Sequence, residues 1–135
     1  MADNSINTTE KGNRHENQAK DILKRIYGAG VEKVDAWGNH DPFGFIDLIA
    51  IHKNKPVKFV QIKTNNFTAK DKKKYIQKTR NMPNEHAVFE VWVRIDREGW
   101  EIYELNDDSF SIKYEIPVCN VEEAREMYYR LENEN

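Results

Sequence analysis

Three polar side chains lie in apolar segments of the sequence, where burial excludes such groups unless they have partners. Asp47 lies inside Phe45–Ile51, in which every other residue is apolar, and Gln61 and Lys63 end the segment Val57–Lys63. An unpaired buried carboxylate is costly, so Asp47 needs a cation or hydrogen-bond donors close by. Carboxylate and amide oxygens suit a hard divalent cation such as Mg²⁺, which can polarise a phosphate while a lysine orients the attacking water.

The two segments are predicted to be neighbouring β-strands, because both are rich in Ile, Val and Phe and a turn-forming His-Lys-Asn-Lys-Pro sequence joins them. Gln61 and Lys63 are two residues apart and therefore share one face of their strand. An odd-length connection places Asp47 directly opposite Gln61 and on that same face. An even-length connection places Asp47 opposite Val60 or Ile62 and separates the group.

The spacing of these residues leaves two interpretations open. The first is a site for a divalent cation, with Lys63 beside it. The second is a structural ion pair between Asp47 and Lys63 that closes one end of the sheet.

The remaining periodicity predicts a mixed α/β fold, with a central mixed β-sheet flanked by helices. Residues 1–11 are polar and predict a disordered N-terminal tail, followed by a single domain over residues 12–135. Apolar residues at helical spacing precede Gly28 and Gly30, which can end a helix. A second helix is predicted over about 69–79, with Thr68 and Asp71 as its capping box. A third helix is predicted from a cap at Asn120 to about residue 131. Further strands are predicted at 31–37, 87–95, 100–105 and 110–116.

The composition limits the possible classes of protein. The chain has 135 residues, of which 39% are hydrophobic and 33% charged, and this length fits one domain. No apolar stretch is long enough to span a bilayer, and the polar N-terminus has no secretory signal, so we expect a cytoplasmic protein (in the host cell if the source is viral). Cys119 is the single cysteine, which excludes an internal disulfide and a cysteine-based zinc cluster.

Positive charge is concentrated in one part of the chain. Residues 53–80 carry ten basic side chains and one acidic side chain, a net charge of +9, whereas residues 1–52 have a net charge of −2 and residues 81–135 of −9. A polyanion such as DNA can use a local excess of this size. The alternative is a solvated, lysine-rich helix without a partner.

The polar group described above resembles the core motif of the PD-(D/E)XK nucleases. In this sequence the motif is Asp47, then thirteen residues, then Gln61-Ile62-Lys63. The resemblance implies a restriction-endonuclease-like core in which Asp47 is the central metal ligand, Gln61 a second ligand and Lys63 the catalytic lysine. It also implies a metal contact from the main-chain carbonyl of Ile62.

Two branches of this superfamily are similar to different parts of the chain. The segments 44–50 and 60–63 resemble the Mrr-like restriction endonucleases, in which Gln commonly replaces Glu. Lys11, Gly12 and Glu16, which precede an amphipathic helix, resemble the start of the small Holliday-junction resolvases. This second resemblance implies that Glu16 approaches the metal and belongs to the catalytic group.

These resemblances imply a DNA endonuclease that depends on Mg²⁺, with Mn²⁺ as a substitute, and that hydrolyses phosphodiester bonds. We expect a Holliday-junction resolvase-like homodimer that acts on branched DNA. The alternatives are an Mrr-like or phage-type restriction or repair endonuclease and a catalytically weak DNA-binding module. The predicted DNA contacts are Lys11, Arg14, Asn39, His40, Lys70, Lys72, Lys73, Lys74 and Lys78.

Overall fold

A computed structural model describes residues 2–34, 46–80 and 87–134 of the chain, with side chains from residue 12 onward. No helix within these ranges has both the length and the apolar character that a bilayer-spanning segment requires. The elements in chain order are α1 (Ala2–Tyr27), a short 3-10 helix (Gly28–Gly30), β1 (Val31–Lys33), β2 (Leu48–Ala50), β3 (Val57–Thr64), α2 (Ala69–Thr79), β4 (Ala87–Ile95), β5 (Gly99–Asn106), β6 (Ser109–Ile116) and α3 (Val121–Glu134).

The described strands form one sheet in which spatial order follows chain order from β1 to β6. Strands β3 and β4 are parallel and are connected through α2, whereas every other neighbouring pair is antiparallel. A parallel connection requires a crossover, and α2 supplies it. The mixed α/β class expected from the sequence is therefore confirmed.

Helices cover both faces of this sheet. Helices α1 and α3 pack on one face, where Leu23 and Tyr128 belong to the same buried cluster as Val60 of β3. Helix α2 packs on the other face, where Tyr75 joins a buried cluster with Phe89 of β4. Because successive strand residues point to opposite faces, each functional side chain can be assigned to one of these two layers.

Helix α1 is longer than the apolar spacing predicts. It ends at Tyr27, and Gly28 follows with a φ of 56°, the left-handed conformation that ends many helices. At the other end it begins at Ala2 and includes residues 2–11, for which the sequence predicted a disordered tail. Adding turns to an existing helix is far easier than starting one, and no proline interrupts this segment.

The predicted bounds of the central elements agree with the structure better than those of the first two strands do. Helix α2 and strand β4 have the predicted bounds, whereas β2 is shorter than the predicted segment and leaves Ile51 outside it, 52% exposed. The main chain of Ile51 donates instead to the carbonyl of Gly30, at 2.8 Å. The part of the first predicted strand beyond Val34 lies outside the described residues.

A buried ionic network, which the sequence did not predict, lies under α3. Glu90 is fully buried, and Lys58 is only 3% exposed. The Lys58 ammonium lies 3.1 Å from a Glu90 carboxylate oxygen and 3.3 Å from Glu132. Lys113 approaches the same Glu90 oxygen at 3.3 Å, and the indole of Trp92 donates to the other oxygen at 3.0 Å. Each buried charge is therefore paired, as stability requires.

Glu132 attaches the last turn of α3 to this network. Its carboxylate accepts hydrogen bonds from the hydroxyls of Tyr114 and Tyr128 and lies near Lys58 and Lys113. Burial alone raises the pKa of Glu132, but the Lys58 ammonium, the Tyr114 hydrogen bond and the charge of Lys113 outweigh it and lower the pKa to about 2. The ionised carboxylate therefore stabilises the docking of α3 on the sheet.

The Glu132→Gln variant tests this role of Glu132. It removes a charge that compensates Lys58, and we expect the free energy of unfolding to fall by about 2–3 kcal/mol at pH 7. Because the folded-state pKa lies below the ordinary value, this stabilisation is complete above pH 4.5 and is lost as the pH falls toward about 2. Urea denaturation at pH 7 and pH 3 measures both effects.

The matched control is Glu126→Gln on the same helix, because Glu126 pairs with Arg25 at a position where its side chain is 57% exposed. We expect a change of less than about 1 kcal/mol in this variant. Equal losses in the two variants, or a Glu132→Gln loss that does not shrink in acid, would contradict the assignment.

Candidate active site

The register between β2 and β3 is the one that an odd-length connection produces. Ile49 pairs with Phe59, and Leu48 with Val60 is the last pair of this ladder. The Asp47 amide also donates to the Val60 carbonyl, at 2.9 Å, so the chain departs from the regular ladder at Asp47. The odd-length register is therefore confirmed as far as Leu48, and the pairing of Asp47 with Gln61 stays a prediction.

Gln61 and Lys63 lie on the face that α2 covers, and Asp47 meets β3 at the same end. Ile49 and Phe59 pack in the cluster under α2. Gln61 and Lys63 lie two and four residues after Phe59 on β3 and therefore share its face. The Asp47 carboxylate accepts from the Ile62 amide, and its charge acts on Tyr75 of α2. The end of β3 and the start of β2 thus bring together the residues that the sequence singled out.

Asp47 and Gln61 both bond to the main chain of Ile62. The Ile62 amide donates to Asp47 Oδ2 at 2.9 Å, and the Ile62 carbonyl accepts from Gln61 Nε2 at 3.2 Å. These bonds satisfy main-chain groups of β3 just beyond its last described pairing with β2. They also hold both side chains in fixed orientations next to each other.

The side-chain oxygen of Gln61 is the atom that best fits a bound cation. Only the amide nitrogen can donate to the Ile62 carbonyl, so this bond fixes the orientation of the amide group. Its Oε1 is buried and has no hydrogen-bond partner among the described residues. A buried acceptor without a partner costs about 1–3 kcal/mol. The donor set of a carboxylate, an amide oxygen and a main-chain carbonyl is one that Mg²⁺ accepts.

Lys63 forms an ion pair with Asp71 on α2. Its ammonium lies 3.3 Å from Asp71 Oδ2, and the two side chains are 26% and 25% exposed. In the described part of the chain Lys63 pairs with Asp71 and not with Asp47, so the predicted alternative of an Asp47–Lys63 ion pair is wrong. The Asp47 carboxylate instead bonds to the main chain of β3, whereas α2 brings a second carboxylate to the lysine.

Asp71 also completes the predicted capping box of α2. The Asp71 amide donates to Thr68 Oγ1 at 3.1 Å, and the Thr68 amide donates to Asp71 Oδ2 at 3.2 Å. Burial alone raises the pKa of Asp71, but the Thr68 amide and the Lys63 ammonium lower it below its ordinary value. The sequence predicted the cap but missed the ion pair, since no local pattern relates β3 to the first turn of α2.

Tyr75 extends the site one helical turn further along α2. It is buried, as the sequence predicted, and it packs against Phe67 and Phe89. Burial and the negative charges of Asp71 and Asp47 raise the pKa of Tyr75 to about 12, so its hydroxyl stays protonated. The sequence reasoning missed this electrostatic link, although the i,i+4 spacing of Asp71 and Tyr75 on α2 was a usable signal.

Glu16 lies on α1, which packs on the face opposite to Gln61 and Lys63. The preceding residue, His15, is buried, and its Nδ1 lies 3.0 Å from Thr64 Oγ1 at the end of β3. Helix α1 therefore passes the end of β3 that carries the candidate site. The assignment of Glu16 to the metal or to the catalytic group stays a prediction.

The lysines of α2 lie on the helix that covers the site. Lys70, Lys73 and Lys74 are exposed, whereas Lys72 and Lys78 are half-buried. The Lys72 ammonium lies 5.3 Å from the ring centres of Phe67 and Tyr103, within the range of a cation–π contact. The exposed members can contact a polyanion without losing an interaction inside the protein.

The other predicted DNA contacts are described only in part. Arg14 is an exposed residue of α1, and Lys11 lies on the same helix, where side chains are not described. Asn39 and His40 lie outside the described residues. Their roles stay predictions.

The described residues contain no group of three or more His, Cys, Asp and Glu side chains suited to a metal ion. A cation at this site would therefore depend on the amide of Gln61 and on the main chain as well as on carboxylates. Searches for a matching protein family, a similar curated protein and a similar solved structure each return no match.

The bond between Asp47 and the Ile62 amide predicts different stabilities for two substitutions. Asp47→Asn keeps an oxygen that can accept from this amide, and we expect the free energy of unfolding to change by less than about 1 kcal/mol. Asp47→Ala leaves the amide without its acceptor, and we expect a loss of about 1–3 kcal/mol. Urea denaturation of both variants measures the difference, and equal stabilities would contradict the importance of this bond.

Proposed function

We propose that the chain is a Mg²⁺-dependent DNA endonuclease of the PD-(D/E)XK type that hydrolyses phosphodiester bonds. The observation that carries the proposal is the meeting of Asp47, Gln61 and Lys63 at one end of β3, where Asp47 and Gln61 both bond to the main chain of Ile62 and Gln61 Oε1 is buried with no partner among the described residues. An apolar side chain at position 61 would avoid the free-energy cost of burying an oxygen without a hydrogen-bond partner. The amide oxygen is therefore better explained by a ligand.

The cation would be held by the Asp47 carboxylate, Gln61 Oε1 and the Ile62 carbonyl, with Glu16 as a further ligand from α1. Mg²⁺ supplies positive charge that polarises the phosphate when it is bound, and Mn²⁺ is expected to substitute for it. Gln61 brings no charge where Glu is the commoner residue, so metal affinity is expected to be modest unless another carboxylate compensates.

Lys63 would act directly on the reacting groups. Its ammonium carries three donors and a full positive charge, which can orient the attacking water and offset the negative charge that develops on the phosphate. The side chain is only 26% exposed, so this charge acts in a partly desolvated site. Water would attack the phosphorus directly as one P–O ester bond breaks, leaving a phosphate on one DNA end and a hydroxyl on the other, so no covalent intermediate with the enzyme is needed.

DNA would reach the site across the exposed lysines of α2. These side chains can contact phosphates without reading the sequence, so binding is expected to be independent of sequence and strongly weakened by salt. The first turn of α2 carries Asp71, the partner of Lys63, and this turn therefore lies beside the site. A phosphate backbone that follows α2 would be led toward Lys63.

Among nucleases of this type, we propose a Holliday-junction resolvase-like enzyme that acts on branched DNA in the cytoplasm as a homodimer. The Lys11-Gly12 and Glu16 pattern supports this subtype, and two cuts in a branched substrate require two active sites. The Gln61 variant of the motif supports instead an Mrr-like or phage-type restriction or repair endonuclease.

A second candidate function is a DNA-binding module with weak catalysis or none. Two observations favour it: Gln61 contributes no charge, and the described residues offer no cluster of three metal-ligating acids, histidines or cysteines. Such a module would retain the lysines of α2 and bind DNA in the presence of EDTA as well as Mg²⁺.

Cleavage of DNA by two site variants tests the proposed endonuclease. We expect Asp47→Asn and Lys63→Ala to reduce Mg²⁺-dependent cleavage by at least about 100-fold, because each removes a group that acts on the reacting phosphate or on the metal. The control is Lys55→Ala, which removes an exposed lysine from the turn at the opposite end of β3. Circular dichroism should show an intact fold in all three variants.

The same assay should compare a four-way junction, a flap and a linear duplex in Mg²⁺, Mn²⁺ and EDTA. Preference for the junction supports the resolvase subtype, and equal rates on the three substrates contradict it. Tight binding without cleavage under every condition supports the binding module. Full cleavage by either site variant would reject the site assignment.

Gln61→Glu tests the metal site independently of cleavage. The added negative charge is expected to raise the affinity for Mg²⁺ by about tenfold, since ligand charge sets the affinity of such sites. Gln77→Glu adds the same charge at an exposed position of α2 and should leave the affinity unchanged. Isothermal titration calorimetry with Mg²⁺ measures both, and an equal effect of the two substitutions would contradict the assignment of Gln61 as a ligand.

A further inference from the structure

We propose that Asp71 is a positioning residue for Lys63 and couples the basic helix α2 to the hydrolytic site. This inference rests on the proposed function, because it assigns Lys63 its catalytic role. It concerns a carboxylate that lies outside the motif of Asp47, Gln61 and Lys63 and enters the site from a different element of the fold.

One oxygen atom of Asp71 contacts both the start of α2 and the Lys63 ammonium. Oδ2 accepts from the Thr68 amide at 3.2 Å and lies 3.3 Å from the Lys63 ammonium. The Thr68 amide belongs to the start of α2, and Asp71 returns a hydrogen bond from its own amide to Thr68 Oγ1. The carboxylate is therefore held in place by the capping box before it meets the lysine.

A lysine needs such a partner more than most catalytic groups do. Its ammonium is a point charge on a flexible four-carbon chain, so its position is poorly defined unless another group holds it. A reacting group that is misplaced by about 1 Å can lose 100-fold in rate. Asp71 presents a fixed negative charge and thereby restricts Lys63 to one region of the site.

The charges of Asp71 and Asp47 both act on one buried side chain, Tyr75. Its hydroxyl is buried beneath α2 and stays protonated. Asp71 therefore supplies a second negative charge to a site in which position 61 carries a neutral amide. The Asp71 carboxylate contacts Lys63 of β3 and the Thr68 cap of α2, so it links the strand to the helix.

This link has a consequence for substrate binding. The exposed lysines of α2, Lys70, Lys73 and Lys74, lie within three residues of Asp71 along the helix, so a DNA backbone that binds to α2 contacts the element that positions Lys63. Displacement of the first turn of α2 would move Asp71 and release the lysine. Asp71 should therefore affect the rate of the chemical step rather than the affinity for DNA.

Three substitutions separate positioning from helix capping. Asp71→Asn keeps an oxygen for the Thr68 amide but removes the charge that holds Lys63, and we expect kcat to fall by about 10- to 100-fold with little change in KM. Asp71→Glu keeps the charge and suits a capping box, so it should restore kcat to within about fivefold of the natural protein. Thr68→Ala weakens the cap but leaves the ion pair, and it should lower Tm by about 3–6 °C without lowering kcat.

A second measurement does not depend on cleavage. The NMR order parameter of the Lys63 Cε group reports how tightly the side chain is held, and we expect it to fall in Asp71→Asn but not in Thr68→Ala or Asp71→Glu. An unchanged order parameter in Asp71→Asn overturns the inference even if the protein is a nuclease.

The two measurements separate the remaining outcomes. A lower order parameter together with an unchanged kcat shows that the ion pair is only structural and overturns the positioning role. Equal losses of kcat in Thr68→Ala and Asp71→Asn assign the effect to the helix cap and also overturn it. If the natural protein cleaves no DNA, the proposed function fails and the catalytic part of the inference fails with it, while the order parameter still tests whether Asp71 holds Lys63.

Discussion

The candidate site depends on the hydrogen bond that the Ile62 amide donates to the Asp47 carboxylate across β2 and β3. Asp47 lies just beyond the last pair of the ladder between β2 and β3, so this bond and the one from the Asp47 amide to Val60 hold its carboxylate beside Gln61. A shift of one residue in the register of β2 would separate Asp47 from Ile62 and from Gln61. The proposed cation site therefore depends on this register.

Glu90 and Gln61 both bury side-chain oxygen atoms in the sheet, but they differ in whether those atoms have partners. Glu90 is fully buried, yet each of its oxygens has a partner in Lys58, Lys113 or Trp92. Gln61 Oε1 is also buried but has no partner in the described part of the chain. The first group stabilises the packing of α3, whereas the second lowers stability, a compromise that is common at functional sites and that the proposed cation site would account for.

The sequence was sufficient to predict the features that depend on local patterns. The alternation of β2 and β3 with their odd-length connection gave the register, and Thr68 with Asp71 gave the start of α2. The ion pair of Lys63 with Asp71 was not predictable, because it depends on how α2 crosses the sheet. The pairing of Lys58 with Glu90 depends likewise on the parallel packing of β3 and β4, and residues of both types are rarely buried unless they are paired.

The proposed site requires Asp47 and Gln61 to bind one divalent cation beside Lys63, and anomalous diffraction from crystals soaked in Mn²⁺ would locate such a cation. We expect one anomalous peak within coordination distance of the Asp47 carboxylate and Gln61 Oε1, and no such peak in Asp47→Asn crystals treated in the same way. A Mn²⁺ peak elsewhere on the protein, with Gln61 Oε1 bonded only to water, would contradict the proposed site.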